Sequence, residues 1–510
     1  MLAALLSGIL SAVALPTVIG PYRLPDLGFL AWVGLVPLYL YLKKGNAKAF
    51  RAGFLFSAAY HGLSLYWIFI AMHRYGEIPV WGSLLGTLLV VLFLSLLVGA
   101  GIALAQALSR RGVPLAIAFP LASVFQSFVV NFFPFGGFPW TNIAYTQRSF
   151  LLLLQILDLT GIYGITFLIL LANSFVAEVI LWMRKKRRAP VSLAGWFLIL
   201  CVSVLFYGKV RLEEVRKNFQ QREKLRIALI QGNVPQDEKW IEEKVNEIIA
   251  RHLVLSRRAQ KADLLIWPEA AYPAVIPPQL TRVDFFKSLS LPLLMGVVTY
   301  EGRIPAEWPP LPDDHEFVLH NSAILVQPGG EIVDRYDKTH LVPMGEYVPM
   351  GRFLFFLTQI VPSISSFTPG KEPRLMKLPV QDNQFGVTIC YEDLFPEISR
   401  KLTKQGADFL VNLTNDAWYE KSSAVFQHFD FSRYRAIENR RAMVRATNTG
   451  ETGFFSPTGE VIASAPVFEE AVLTSEIPLG GVESFYTRFG DVFAWGCIVA
   501  LGLVAVRRKR

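Results

Sequence analysis

Three polar positions in this 510-residue chain stand directly behind apolar runs and could together carry out nucleophilic chemistry. Trp267-Pro268-Glu269 places a carboxylate after the run Asp263–Trp267, and Tyr336-Asp337-Lys338-Thr339-His340 places an ammonium after Glu331–Tyr336. Gly386-Val387-Thr388-Ile389 ends in Cys390, followed by Tyr391, Glu392 and Asp393. Carboxylate, ammonium and thiol are a base, an electrostatic stabiliser and a nucleophile. Of the three cysteines, Cys201 and Cys497 lie inside long apolar runs, so Cys390 is the one thiol in the polar part of the chain. No internal disulfide framework is expected. Each position has a plainer reading on its own: a small core hydrophobe for Cys390, a solvated strand end for Glu269, a surface pair with Asp337 for Lys338.

Such a set needs strands that finish near one another. Val387 and Ile389 read as a buried strand, and Pro396 suits the first turn of a helix over Phe395–Gln405, so Cys390 falls on a strand-to-helix turn with free backbone N–H groups nearby. Further strands are predicted at Leu225–Gln231, Leu293–Thr299, Ser322–Val326, Asp408–Leu413, Val444–Thr447, Gly453–Ser456, Glu460–Ala463 and Ala471–Glu476, with helices at Ile241–Gln260 and Ala424–Met443. Strands alternating with helices from about Lys224 to Ile477 make a layered α/β domain, in which ligands gather where strands end. With no phosphate loop, dinucleotide fingerprint or CxxC pair, neither a cofactor nor a metal is expected.

The remainder of the chain is of another kind. Hydrophobic residues make up 52% and charged residues 18%, and the apolar ones concentrate before Val210 and after Phe489. Membrane spans are predicted at Leu2–Ile19, Leu27–Leu42, Gly53–Ala71, Val80–Ala107, Val113–Val130, Leu159–Met183 and Val191–Tyr207, with an eighth at Phe489–Val506. Leu2–Ile19 lacks the basic flank of a signal peptide and is expected to be a retained helix. Domains are expected at 1–210, 224–477 and 485–510. Alternate loops carry Lys43, Lys44, Lys48 and Arg51; Arg110 and Arg111; and Arg184, Lys185, Lys186, Arg187 and Arg188, and the tail carries Arg507, Arg508, Lys509 and Arg510. Both termini should therefore be cytoplasmic and the polar domain outside. The net charge of +9 reads as this topology signal rather than as a nucleic-acid footprint. The loop Asn131–Gln147, rich in aromatic residues, Pro and Gly, is either an interfacial aromatic belt or a lipid-facing doorway below the outer domain.

Glu269, Lys338 and Cys390, in that order, resemble the catalytic set of the nitrilase (carbon–nitrogen hydrolase) superfamily, whose fold is an αββα sandwich. With the helical polytopic bundle, the whole chain resembles the apolipoprotein N-acyltransferase family. Gln231-Gly232-Asn233 with Trp240, Gly345-Glu346-Tyr347-Val348-Pro349, Cys390-Tyr391-Glu392, Asn415-Asp416-Ala417-Trp418 and Arg445-Ala446-Thr447-Asn448-Thr449-Gly450 carry that resemblance. It implies a nucleophile at Cys390, a general base at Glu269 and an oxyanion stabiliser at Lys338. Glu346, Tyr391 and Glu392 match supporting positions; Trp240 and Trp418 are expected at the substrate, although Trp240 could equally pack in the core. His428 matches too but receives no chemistry.

The implied reaction moves a fatty acyl chain from a phospholipid, phosphatidylethanolamine foremost, through a Cys390 thioester to the α-amine of a diacylglyceryl-cysteine apolipoprotein, in the bacterial inner membrane with the catalytic domain periplasmic. The apolar stretch Phe353–Phe367, with Phe355 and Phe356, is either a buried helix or a lid that admits acyl chains. Two other classes compete: a membrane-tethered amidase, against which the many spans weigh, and a transporter, which would need more intramembrane polarity than His61, Asp158 and Glu178 supply.

Overall fold

The computed structural model describes residues 1–44, 47–184, 189–259, 261–277, 280–302, 317–349, 367–379 and 382–506. Phe355, Phe356 and nearly all of the Phe353–Phe367 stretch lie outside the described residues, as do Lys185, Lys186, Arg187 and Arg188 and the tail from Arg507 to Arg510.

The first 220 residues form a helical bundle. Val80–Arg110, Ile162–Met183 and Val191–Gln220 are each long and apolar enough to cross a membrane. Ala49–Ser64 and Trp67–Tyr75, bent by 50°, make a fourth if counted as one span. The other predicted spans appear as shorter apolar helices: Leu2–Ala14, Gly28–Leu42, Leu115–Val130 and Val492–Val506. The first stops five residues early because Leu15 precedes Pro16 and takes an extended conformation. Val191–Gln220 instead runs thirteen residues past its predicted end, and that extension is tied down by Arg211 bonding Asp158 and Arg216 bonding Glu460. At one end of the bundle Lys43 pairs with Glu178, and Arg111 donates to the Ala505 carbonyl at the end of the last helix. The polar domain sits on the opposite end, against Pro16, Val18, Trp140 and Ala144.

That domain is an αββα sandwich. One sheet has the order Ala471–Pro478, Lys224–Gln231, Leu264–Ile266, Leu293–Gly302, Phe317–Val326, Ile332–Asp337, with Val275–Ile276 beside Leu293–Gly302. The other runs Val461–Ser464, Gly453–Phe455, Ala442–Thr447, Phe409–Thr414, Gln384–Ile389, Leu375–Lys377. Both are parallel at the centre and antiparallel at the edges. Strand periodicity divides the core in two. Leu225, Ile227 and Leu229 join Phe385, Val387 and Ile389 between the sheets, whereas Ala228 and Ile230 turn outward to Leu255 of helix Val245–Arg257. The second sheet is covered by Pro396–Gln405 and Ser423–Asn439. The latter helix ends four residues before its predicted limit, with Arg440 left-handed at φ 51°. Arg440 is held there by Asp158 and Gln155 of the bundle, a tertiary cap with no Gly to announce it.

Candidate active site

Glu269, Lys338 and Cys390 arrive from three strand ends. Glu269 follows Leu264–Ile266 in the first sheet, Lys338 follows Ile332–Asp337 at that sheet's edge, and Cys390 follows Gln384–Ile389 in the second. The glutamate turn crosses the neighbouring strand at Gly296, where a Cβ would stand 2.5 Å from the Glu269 Cα. Only glycine allows that approach. Cys390 opens a short 3-10 turn at φ 52°, a left-handed conformation costly for a side chain with a Cβ and one often kept where a nucleophile must project.

Two carboxylates hold the pieces in register. Glu392, fully buried, accepts from the Tyr336 hydroxyl (2.8 Å), the Thr339 N–H (2.7 Å), the His340 N–H (3.1 Å) and the Ile389 N–H (2.8 Å). It thus clamps the lysine turn to the cysteine turn. Glu346 takes the Lys338 ammonium at 2.8 and 2.9 Å and the Val342 N–H at 2.8 Å. Lys338 also lies 4.0 Å from Glu269. A single amide, Asn321 Nδ2, donates to Glu269 at 2.7 Å and to Glu346 at 2.8 Å.

Burial dominates the electrostatics. It raises the Glu269 carboxyl above its ordinary range, with Lys338 opposing and Glu346 reinforcing. For Lys338 burial works against the charge, but Glu346, Cys390 and Glu269 outweigh it and hold the ammonium firmly protonated. The Cys390 thiol, 7% exposed, is pushed well above its ordinary value by burial and then by Glu269, with Lys338 only partly opposing. A lysine alone would be expected to lower that thiol; desolvation of the thiolate wins. The arrangement therefore suits a neutral thiol that loses its proton to an adjacent base as it attacks.

Behind Cys390 lies a charged cluster. His428 stands between Asp416 (2.8 Å) and Asp393 (3.1 Å), with its Nε2 3.3 Å from the Cys390 carbonyl, which also accepts from Asn412 at 3.2 Å. Arg445 bonds Asp393 and Asp416, each at 3.0 Å, and Asn412 at 2.6 Å. Burial and Arg445 disfavour charge on His428, but the two aspartates outweigh them and raise its pKa.

In front lies the aromatic loop. The Tyr391 hydroxyl donates to the Gly137 carbonyl at 2.9 Å, and Phe138 stacks on Tyr391. Trp240, 49% exposed, is not in the core, and Trp418 packs edge-on against Tyr75 of the bundle.

Known family models cover both parts of the chain. The family model described as Carbon-nitrogen hydrolase matches residues 226–487, and the one described as Apolipoprotein N-acyltransferase N-terminal domain matches residues 7–175. The Apolipoprotein N-acyltransferase of Geobacter metallireducens is 39% identical, covering 100% of this chain and 95% of its own length. The chain belongs to the apolipoprotein N-acyltransferase family. The Methylococcus capsulatus Apolipoprotein N-acyltransferase is 31% identical over 100% of this chain and 96% of its own. A crystal structure of Saccharomyces cerevisiae Nit3 aligns at 18% identity and a TM-score of 0.37, covering 50% of this chain and 90% of that one. Like its family, the chain is an enzyme with an apolipoprotein N-acyltransferase-type reaction, a multi-pass membrane protein of bacterial type with lipid and membrane-associated partners.

Motifs located Glu346 and Glu392, and one motif began at Arg445 without giving it a role; Asn321 and Asp393 were not picked out as parts of the site. Asn321 carries no local signal, because its role comes from the register that sets it opposite Val298 on the next strand. Arg445 sits in a strand that otherwise reads as core, and an arginine there signals a buried charge partner, which the structure shows to be Asp393 and Asp416.

Proposed function

We propose that this chain transfers a fatty acyl chain from a phospholipid, phosphatidylethanolamine foremost, to the α-amine of a diacylglyceryl-cysteine apolipoprotein by a ping-pong reaction through Cys390. The observation that carries the reading is the buried Glu269–Lys338–Cys390 set, joined to the bundle through Tyr391 and Gly137.

Cys390 Sγ attacks the ester carbonyl while Glu269 takes the thiol proton. The tetrahedral oxyanion is met by Lys338 and the Tyr391 N–H; one such donor contributes about 3–4 kcal/mol. Collapse expels the lysophospholipid oxygen, which receives the proton from Glu269 and leaves a thioester. The incoming amine then attacks, Glu269 takes its proton, and the C–S bond breaks to give the amide. The thiolate recovers the proton. Burial keeps water from the thioester, so that an amine rather than water resolves it.

The domain limits 1–210, 224–477 and 485–510 belong to this reading, with termini cytoplasmic and the sandwich periplasmic. Its support is the gathering of Lys43, Arg111 and the Ala505 end of the last helix on the side of the bundle away from the sandwich.

The test incubates the purified enzyme with phosphatidylethanolamine and a diacylated lipopeptide. Mass spectrometry should find an acyl adduct on Cys390 without acceptor and a triacylated peptide with it. Both should vanish in Cys390→Ala and fall steeply in Glu269→Gln. Triacylated product from Cys390→Ala would refute the covalent route, and free fatty acid as the sole product would make the enzyme a hydrolase.

A further inference from the structure

A second lysine reaches the site from a direction the mechanism does not use. In the turn after Lys224–Gln231, adjacent side chains part company: Trp240 is 49% exposed, whereas Lys239 is 2% exposed. The Lys239 Nζ donates to the main-chain carbonyl of Glu269 at 3.0 Å. Among the described residues that is its one hydrogen bond, and no carboxylate lies within 4 Å of it. An ammonium has three N–H donors, and burying one unpaired is expensive unless nearby charge offsets the cost.

The Glu269 it is bonded to belongs to a charged cluster. Glu269 and Glu346 carry two negative charges and Lys338 one positive, so those three groups together are one unit short of neutral. Lys338 is already engaged by Glu346 at 2.8 Å. Both Glu269 and the Cys390 thiol act electrostatically on Lys239, favouring its charged form. The other titratable group facing it is His252 of helix Val245–Arg257, which burial holds neutral with a pKa lowered to about 4. Further negative charge develops at Cys390 when the thiol loses its proton.

We propose that Lys239 is a positioning residue of the acyl-transfer site: it fixes the Glu269 turn through the main-chain carbonyl, and its ammonium balances the negative charge that forms at Cys390. This deepens the reading above and rests on it. Burial lowers the Lys239 pKa to about 8, so the balancing charge is present at neutral pH and lost in alkali.

The test follows Cys390 alkylation by iodoacetamide in the full-length enzyme, peptide by peptide, from pH 6 to 10. This readout needs no lipid donor, so it is independent of whether phospholipid is the acyl source. In wild type the rate should rise with pH and flatten above about 8, as Lys239 deprotonates. Lys239→Gln should slow alkylation about tenfold near pH 7, with a gap to wild type that closes above pH 8; tenfold corresponds to one unit of thiol pKa. Lys239→Arg keeps a permanent charge, and its curve should match wild type near neutrality and go on rising above pH 8. A Lys239→Gln rate reduced by one factor at every pH would show a purely structural role and overturn the proposal. So would a Lys239→Arg curve that flattens as wild type does. Either variant decides the matter by the shape of its curve if the other fails to fold.

Discussion

On the proposed reaction, Cys390 joins two demands that oppose each other. A nucleophile gains from being a thiolate, yet a thioester survives only where water is scarce, and the same desolvation holds the thiol protonated. As the proposed base, Glu269 would resolve the conflict, because burial makes it a stronger base than an ordinary carboxylate. A base must be ionised to act, so on that mechanism activity should be lost as pH falls through the raised Glu269 pKa, above the ordinary value of 4.5. Glu269→Gln should abolish that acid limb in a pH–rate profile of lipopeptide acylation and lower the rate about 10²–10⁴-fold. Behind the thiol, Arg445 offsets two buried aspartates at once. Arg445→Met should destabilise the fold by about 3–5 kcal/mol, read from denaturant unfolding in detergent, because it strands those charges rather than merely removing a contact. The gathering of Glu269, Lys338 and Cys390 was anticipated from their order and the family resemblance, since each ends an apolar run but has a plainer reading when taken alone. Lys239 was not. Its inward turn beside an outward Trp240 is set by packing, and a lysine in a polar stretch reads as solvated.

Among the elements, the loop Asn131–Gln147 binds the site to the bundle most directly. It packs through Gly136 on His340 and through the Gly137 carbonyl on Tyr391. Gly137 lies at φ 103°, and a Cβ there would come within 2.2 Å of the Asn131 carbonyl oxygen. Gly112 has a similar φ of 100° but no atom within 4 Å of the added carbon. Gly137→Ala should therefore displace the loop and slow Cys390 acylation at least tenfold, while Gly112→Ala costs only the backbone strain of about 1–3 kcal/mol and leaves the rate near wild type. Single-turnover acyl-enzyme formation in detergent checks both. The two sequence readings of this loop, belt and doorway, were not separable beforehand, since aromatic content suits either. Most strands were legible from β-branched runs. The helix Ser423–Asn439 was overextended because its stop signal, Arg440, depends on Asp158 nearly three hundred residues away.

For the whole molecule, bundle and sandwich are stitched together by polar bonds rather than joined by a tether. Arg440 meets Asp158 at 2.8 Å, which also takes the Tyr207 hydroxyl at 2.7 Å and Arg211 at 2.8 Å. Trp140 donates to Gln427, and Tyr434 to the Ala144 carbonyl, each at 2.8 Å. Asp158→Asn should lower stability by about 3–5 kcal/mol by leaving Arg440 buried with its counter-charge gone. Proteolysis should then open the junction near Gln220 before either half is digested. Composition announced two kinds of domain, but the cross-links were invisible, because single polar residues in apolar runs do not name their partners. These cross-links fix how far Cys390 stands from the helices. Among the described residues the site is a jig rather than a gripper: it is held at a set distance from the helices, and on the proposed reaction an acceptor brings its lipid-bearing cysteine to it. On the proposed reaction, passenger proteins of any size are served alike, provided the chain next to that cysteine is slack enough to arrive.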